Sequence, residues 1–108
     1  MANTFKLKTK ANVGVTTSNV YVVPSATTTV VIGVTLSNTS GSSINVGVGI
    51  TRASADDVSL MKNVPIPQGS SFEFMGGNKV VLETTDTLTA ESDVNNSLDV
   101  ALTIMEIT

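Results

Sequence analysis

Apolar and polar residues alternate with a period of two through several stretches of this chain, the pattern of half-buried β-strands. In residues 30–36, Val30, Ile32, Val34 and Leu36 fall on one face and Val31, Gly33 and Thr35 on the other. Ile44, Val46, Val48 and Ile50 repeat the pattern opposite Asn45, Gly47, Gly49 and Thr51. Residues 38–43 lie between them and read Asn-Thr-Ser-Gly-Ser-Ser. Small polar side chains and a glycine favour a turn, so the two runs predict an antiparallel hairpin. Near the end, Leu98, Val100, Leu102 and Ile104 alternate with Asp99, Ala101, Thr103 and Met105, after a turn-forming stretch at 93–97. Weaker patterns predict strands over residues 5–9, 20–23, 58–63, 71–75, 79–83 and 88–91, with breaks at 24–25, 55–57, 65–69, 76–78 and 84–86. Turn signals every 8–12 residues or so suit a sandwich or small barrel.

One apolar face per strand calls for two sheets packed face to face. The expected fold is therefore all-β, an antiparallel sandwich of about eight strands, jelly-roll-like or immunoglobulin-like. Periodicity does not encode strand order, so both orders stay open. Nothing carries a helical stripe. The core should be mainly Val, Ile and Leu; Tyr21 lies in a run that reads as buried, and Phe5 reads as core. Gly47 and Gly49 fall on the outward face, where a missing side chain marks a bulge or lets another backbone approach. Residues 1–12 read as a basic arm or edge strand, and residues 13–108 as a single sandwich domain.

Composition removes most chemistry. The chain has 108 residues with no Cys, His or Trp, and charged residues are only 14%. Without His or Cys, the commonest general base, the commonest metal ligand and every thiolate mechanism are missing. A surface poor in charge is weakly protected against association, which suits a protein that lives in an assembly. The net charge of −3 disfavours free nucleic acid as a partner. No apolar run approaches the roughly 20 residues that span a bilayer, so no membrane is expected either. Asn38 and Asn95 open glycosylation sequons, but with no export signal visible the product is expected in the cytoplasm.

The charge is unevenly placed. Lys6, Lys8 and Lys10 are three of the six basic residues, and all nine acids lie beyond them. The cluster is either the solvated face of a first strand or an arm that docks on an acidic neighbour. Together with Gly47 and Gly49 it forms the set of candidate interface residues. Glu73 and Glu83 could face each other across a hairpin turn at Gly76, Gly77 and Asn78, though as a carboxylate pair nothing singles them out. Asp56 and Asp57, or Asp93 with Asn95, could offer oxygens to calcium, but neither stretch has the spacing of a calcium loop. No catalytic, cofactor or metal site is expected, so the chain reads as non-enzymatic. Sugar binding stays open, although the absence of Trp counts against it.

Several stretches carry a resemblance. They include Ala11, Asn12, Val13 and Gly14, then Val20 and Tyr21, the Thr-rich approach to Val30, and the ending Met105 to Thr108. The fullest is Lys62, Asn63, Val64, Pro65, Ile66, Pro67, Gln68, Gly69 and Ser70, followed by Gly76-Gly77 and by Lys79 to Glu83. Together they resemble a group of small virion structural proteins of tailed bacteriophages, common in phages of marine cyanobacteria. In that group Gly often precedes the aspartate of the later turn; here Thr85 precedes Asp86, which leaves the turn type open. The resemblance implies a structural part of a virus particle, assembled in the host cytoplasm. A capsid decoration or cement protein is the first expectation. A neck, tail or fibre-base component, or a glycan- or host-surface-binding module, is the alternative. The implied partners are the major capsid protein or neck and tail proteins, with self-association into a homo-oligomer such as a trimer.

Overall fold

The computed structural model describes residues 3–53, 55–74 and 79–108. Within them the chain forms nine strands: β1 (Asn3–Val13), β2 (Ser18–Val22), β3 (Thr28–Asn38), β4 (Ile44–Thr51), β5 (Val58–Ile66), β6 (Ser71–Phe74), β7 (Val80–Leu82), β8 (Thr87–Ser92) and β9 (Leu98–Ile107). All pairings are antiparallel. One sheet runs β1-β9-β3-β6, with β7 also on β3, and the other runs β2-β8-β4-β5. β6 pairs with residues 34–37 of β3 and β7 with residues 29–31, so the two lie end to end as one interrupted strand. Taken as one, they make eight strand positions. The chain then crosses between sheets at almost every connection, which is the strand order of a jelly roll.

The core lies between the sheets. Leu98, Val100, Leu102 and Ile104 of β9 are buried, as their alternation predicts, and so are Ile44, Val46, Val48 and Ile50 of β4. Tyr21, Val23, Leu36, Ile66, Leu82 and Leu88 complete the centre. Branched side chains dominate because their stiff χ1 suits a pleated, half-buried surface.

Four expectations need correction. β3 and β4 do not form a hairpin: they lie in opposite sheets, and residues 38–43 carry the chain from one to the other. Asn38 makes that crossing, its amide donating to the carbonyls of Ser42 (2.8 Å) and Ile66 (3.0 Å). Nor does β3 keep one phase. Val31 pairs with Ile104 and Gly33 with Thr103, so Ile32 is an extra, bulged residue. Thr29 and Val31 therefore point inward before the bulge, and Val34, Leu36 and Asn38 after it. Phe5 is not core but 70% exposed. β6 and β7 are not the two arms of a hairpin, because they run the same way along β3, and Glu73 and Glu83, read as isolated surface acids, do not face each other. The turn predicted at 76–78 lies outside the described residues.

The Lys62-to-Ser70 stretch serves the backbone. Asn63 (φ 55) lies between the partners of Val46 and Val48 and forms a β5 bulge. Pro65 is tolerated because β5 is an edge strand. A four-residue turn then closes from the Ser70 N–H to the Pro67 carbonyl (3.1 Å), with Gly69 at φ 70 as its third residue. Positive φ at that place is what a type II turn requires.

Candidate functional site

β1 is where the sequence concentrates its basic charge, and its register decides which way that charge points. Lys6 pairs with Ile104, Lys8 with Leu102 and Lys10 with Val100. Residues directly opposite in an antiparallel pair share a face. The three lysines therefore stand on the inner side of the five-stranded sheet, and Phe5 and Leu7 on the outer side. Lys6 Nζ lies 2.8 Å from Glu106 Oε1. Lys8 Nζ stands 5.9 Å from the centre of the Tyr21 ring, within cation–π range. Lys10 is exposed. A bulge follows at residues 11–12, held by the Asn12 N–H donating to Asp99 Oδ1 (3.0 Å), and it turns Val13 into the core.

Behind Lys6 is a buried polar cluster that the sequence reading did not single out. Tyr21 donates its hydroxyl to Glu106 Oε2 (2.5 Å) and meets Thr29 Oγ1 at 2.8 Å. Burial, then the bond to Glu106, pushes the Tyr21 phenol up to about 12. The bond from Lys6, then that from Tyr21, holds the Glu106 carboxyl below the usual range. The clue was the period of β9 itself: continuing Leu102 and Ile104 by two puts Glu106 on the buried face, where a carboxylate must find partners.

Gly47 and Gly49 lie on the other sheet, so the structure does not bring them together with the lysines. They floor a shallow groove of about 190 Å³ across β5, β4 and β8, edged by Val58, Lys62, Thr89 and Glu91. A Cβ on Gly49 would stand 3.1 Å from the Val58 carbonyl oxygen, while one on Gly47 would meet Met61 O and Glu91 Oε1 at 3.4 Å. Both glycines flank register shifts between β4 and β5, so the bulge expected there is present.

The acids once weighed as calcium ligands cap loops instead. Asp57 Oδ1 accepts from the Arg52 N–H (2.8 Å), Asp93 Oδ1 from the Asn45 N–H (2.9 Å), and Asn95 Oδ1 from the Val15 N–H (3.4 Å). Among the described residues no group of three or more acids stands close enough to hold a metal ion. Asp86, buried, accepts from the Glu83 N–H (2.9 Å) and from Arg52 Nε (3.1 Å).

No protein-family model matches the chain, and no curated protein does. Among solved structures it is similar to a chain from Bacillus endospore appendages, a family of disulfide-linked pili. The TM-score is 0.58 at 11% identity, over 99% of this chain and 87% of that one. The likeness is one of fold: both are β-rich. This chain has no cysteine, so it can form no disulfide.

Proposed function

We propose that this protein is a non-enzymatic structural subunit that works by contact with other proteins in a repeating particle. One observation carries the reading. β1 is an edge strand that turns its charged side chains toward the sandwich and holds Phe5 (70% exposed) and Leu7 (64%) to the outside. The pair of Lys6 with buried Glu106 accounts for the inward lysines, and it leaves Phe5 and Leu7 in water, where covering such side chains would stabilise by about 1.5–3 kcal/mol each. An unpaired edge and exposed apolar side chains are what a neighbouring subunit covers.

The particle we propose is the virion of a tailed phage, with the chain as a decoration or cement protein on its shell. The resemblance of the Lys62-to-Ser70 stretch supports this choice, as does the surface poor in charge. A rigid sandwich seated across a seam adds buried area there. Interfaces of roughly 1,200–2,000 Å² suffice for stable contact, and repetition multiplies the effect. The test is the copy number per purified particle by quantitative mass spectrometry. Hundreds of copies are expected for a shell protein and about a dozen for a neck or tail part; complete absence from particles would sink the proposal.

A further inference from the structure

β1 holds its place in the sheet without contributing to the core. None of residues 3–12 is buried, and Val13, at the root of the strand, is the first that is. Phe5 and Leu7 stand in water, so lifting the strand away gives up little apolar burial of its own. What holds residues 3–10 is the ladder to β9, the contact of Lys6 with Glu106 and the Lys8 ammonium over the Tyr21 ring. That ladder is interrupted between Lys10 and Val13, where Asn12 has φ 58. A break in the pairing therefore divides the exposed strand from its buried root.

We infer that β1 is exchanged between copies of the chain: residues 3–10 leave β9 of their own molecule and pair, in the same register, with β9 of a second one. The seat names its occupant. With β1 gone, the buried Glu106 carboxylate has lost its cation, which is strongly destabilising until one returns. Lys6, Lys8 and Lys10 form the only stretch of the sequence with cations two residues apart, the spacing that keeps them on one face of a strand. The strand that fits the uncovered edge of β9 is therefore the β1 of another copy, which restores every contact of the first. Because the two arrangements make the same contacts, concentration decides between them. A strand on a short root competes at an effective concentration on the order of millimolar. Copies measuring 45 × 25 × 22 Å and packed side by side stand at roughly tens of millimolar, so an assembly favours exchange and dilute solution the self-paired form.

The inference rests on the structural-subunit reading and deepens it by naming the segment that passes between subunits. The absence of cysteine makes it testable with the full chain. Leu7 and Thr103 stand opposite each other on the outward face, at a spacing of about 4.5–5.5 Å that a disulfide spans. Chains carrying only Leu7→Cys are mixed at about 1 mM with chains carrying only Thr103→Cys and then oxidised. They should give a disulfide-linked mixed dimer, at roughly tenfold or more the yield of Leu7→Cys mixed with Thr35→Cys, whose position lies on β3 rather than opposite β1. Mixing at about 1 µM should abolish the excess. Native-state hydrogen exchange of the wild type should show the β1 amides opening before those that join β9 to β3. A yield no higher than the control, or β1 amides that open only together with β3, would overturn the inference and make β1 a fixed part of its own domain. Exchange between copies that never appear in particles would remove the proposed role and leave the exchange standing; a chain that appears in particles and does not cross-link would do the reverse.

Discussion

Lys6 Nζ and Glu106 Oε1 lie 2.8 Å apart, one on the first strand and the other on the last, with the carboxylate buried and the amine half in water. The pair, with Tyr21 behind it, fixes the phase of β1. Slipping β1 by one residue would bring Phe5 and Leu7 inward but strand Glu106 without its cation.

Acid should loosen this lock. The Glu106 pKa is lowered in the folded state, so its contribution is present above the ordinary carboxylate value of about 4.3 and is lost as pH falls through the lower folded value. Denaturant midpoints measured from pH 7 down to pH 2 should fall in the wild type. Glu106→Gln should flatten part of that slope and, at pH 7, lower stability by about 1–3 kcal/mol through the weakened buried bonds. An unchanged slope would mean that Glu106 is not held by Lys6 and Tyr21.

Alkali acts on the other half of the cluster, with the opposite sign. Tyr21 is raised, so the folded state holds its proton more tightly, and the stability it adds is complete below the ordinary phenol value of about 10 and lost as pH rises toward 12. Tyr21 is the sole tyrosine of the chain, so its ultraviolet titration is unambiguous. The phenolate should appear near pH 12 in the folded protein and near pH 10 in denaturant. Coincident curves would show the hydroxyl to be solvated.

Thr85 offers a stabilising change. The turn at residues 83–86 closes from the Asp86 N–H to the Glu83 carbonyl (3.0 Å), with Thr85 at φ 72 as its third residue. Gly69 fills the equivalent place in the turn at 67–70 without strain. A β-branched residue there costs about 1–3 kcal/mol, and glycine gives back part of the gain as unfolded-chain entropy. Thr85→Gly should therefore raise stability by about 1 kcal/mol, read as a higher denaturant midpoint.

The two groove glycines should respond unequally to alanine. On Gly49 the new methyl meets a backbone carbonyl at 3.1 Å, which β5 must yield to accommodate, for a cost of about 1–3 kcal/mol. On Gly47 the contacts are ordinary, and the change should stay within about 0.5 kcal/mol. Thermal melts of the two variants decide it, and equal shifts would refute the difference in fit.

Buried Asp86 and exposed Glu83 both meet Arg52, but only Asp86 also holds a backbone N–H. Asp86→Ala should cost about 1–3 kcal/mol and Glu83→Gln close to nothing in the same melts.

How much of this was legible in the sequence differs by element. β4 and residues 98–104 of β9 were, because each alternates strictly between aliphatic and small or polar residues. β3 was not, because Val30, Val31 and Ile32 are apolar in a row, and either phase satisfies the pattern until pairing with β9 places the bulge. The false hairpin has a different cause: a Gly/Ser turn signals a change of direction and says nothing about which sheet the chain enters next. On β1 the alternation was plain, yet its sense was reversed. Aliphatic faces normally seek the core, and only Glu106, some hundred residues away in sequence, overrules that here. The lysines could be picked out from their clustering. The apolar row beside them could not, since Phe5, Met105, Val30 and Val81 line up only through register.

The last strand sits between the first and the third in its sheet. A ribosome delivers β9 after every other strand, so until then β1 has no neighbour and the two layers cannot close. The nascent chain must wait with much of its aliphatic interior uncovered, and pairings between distant segments form slowly.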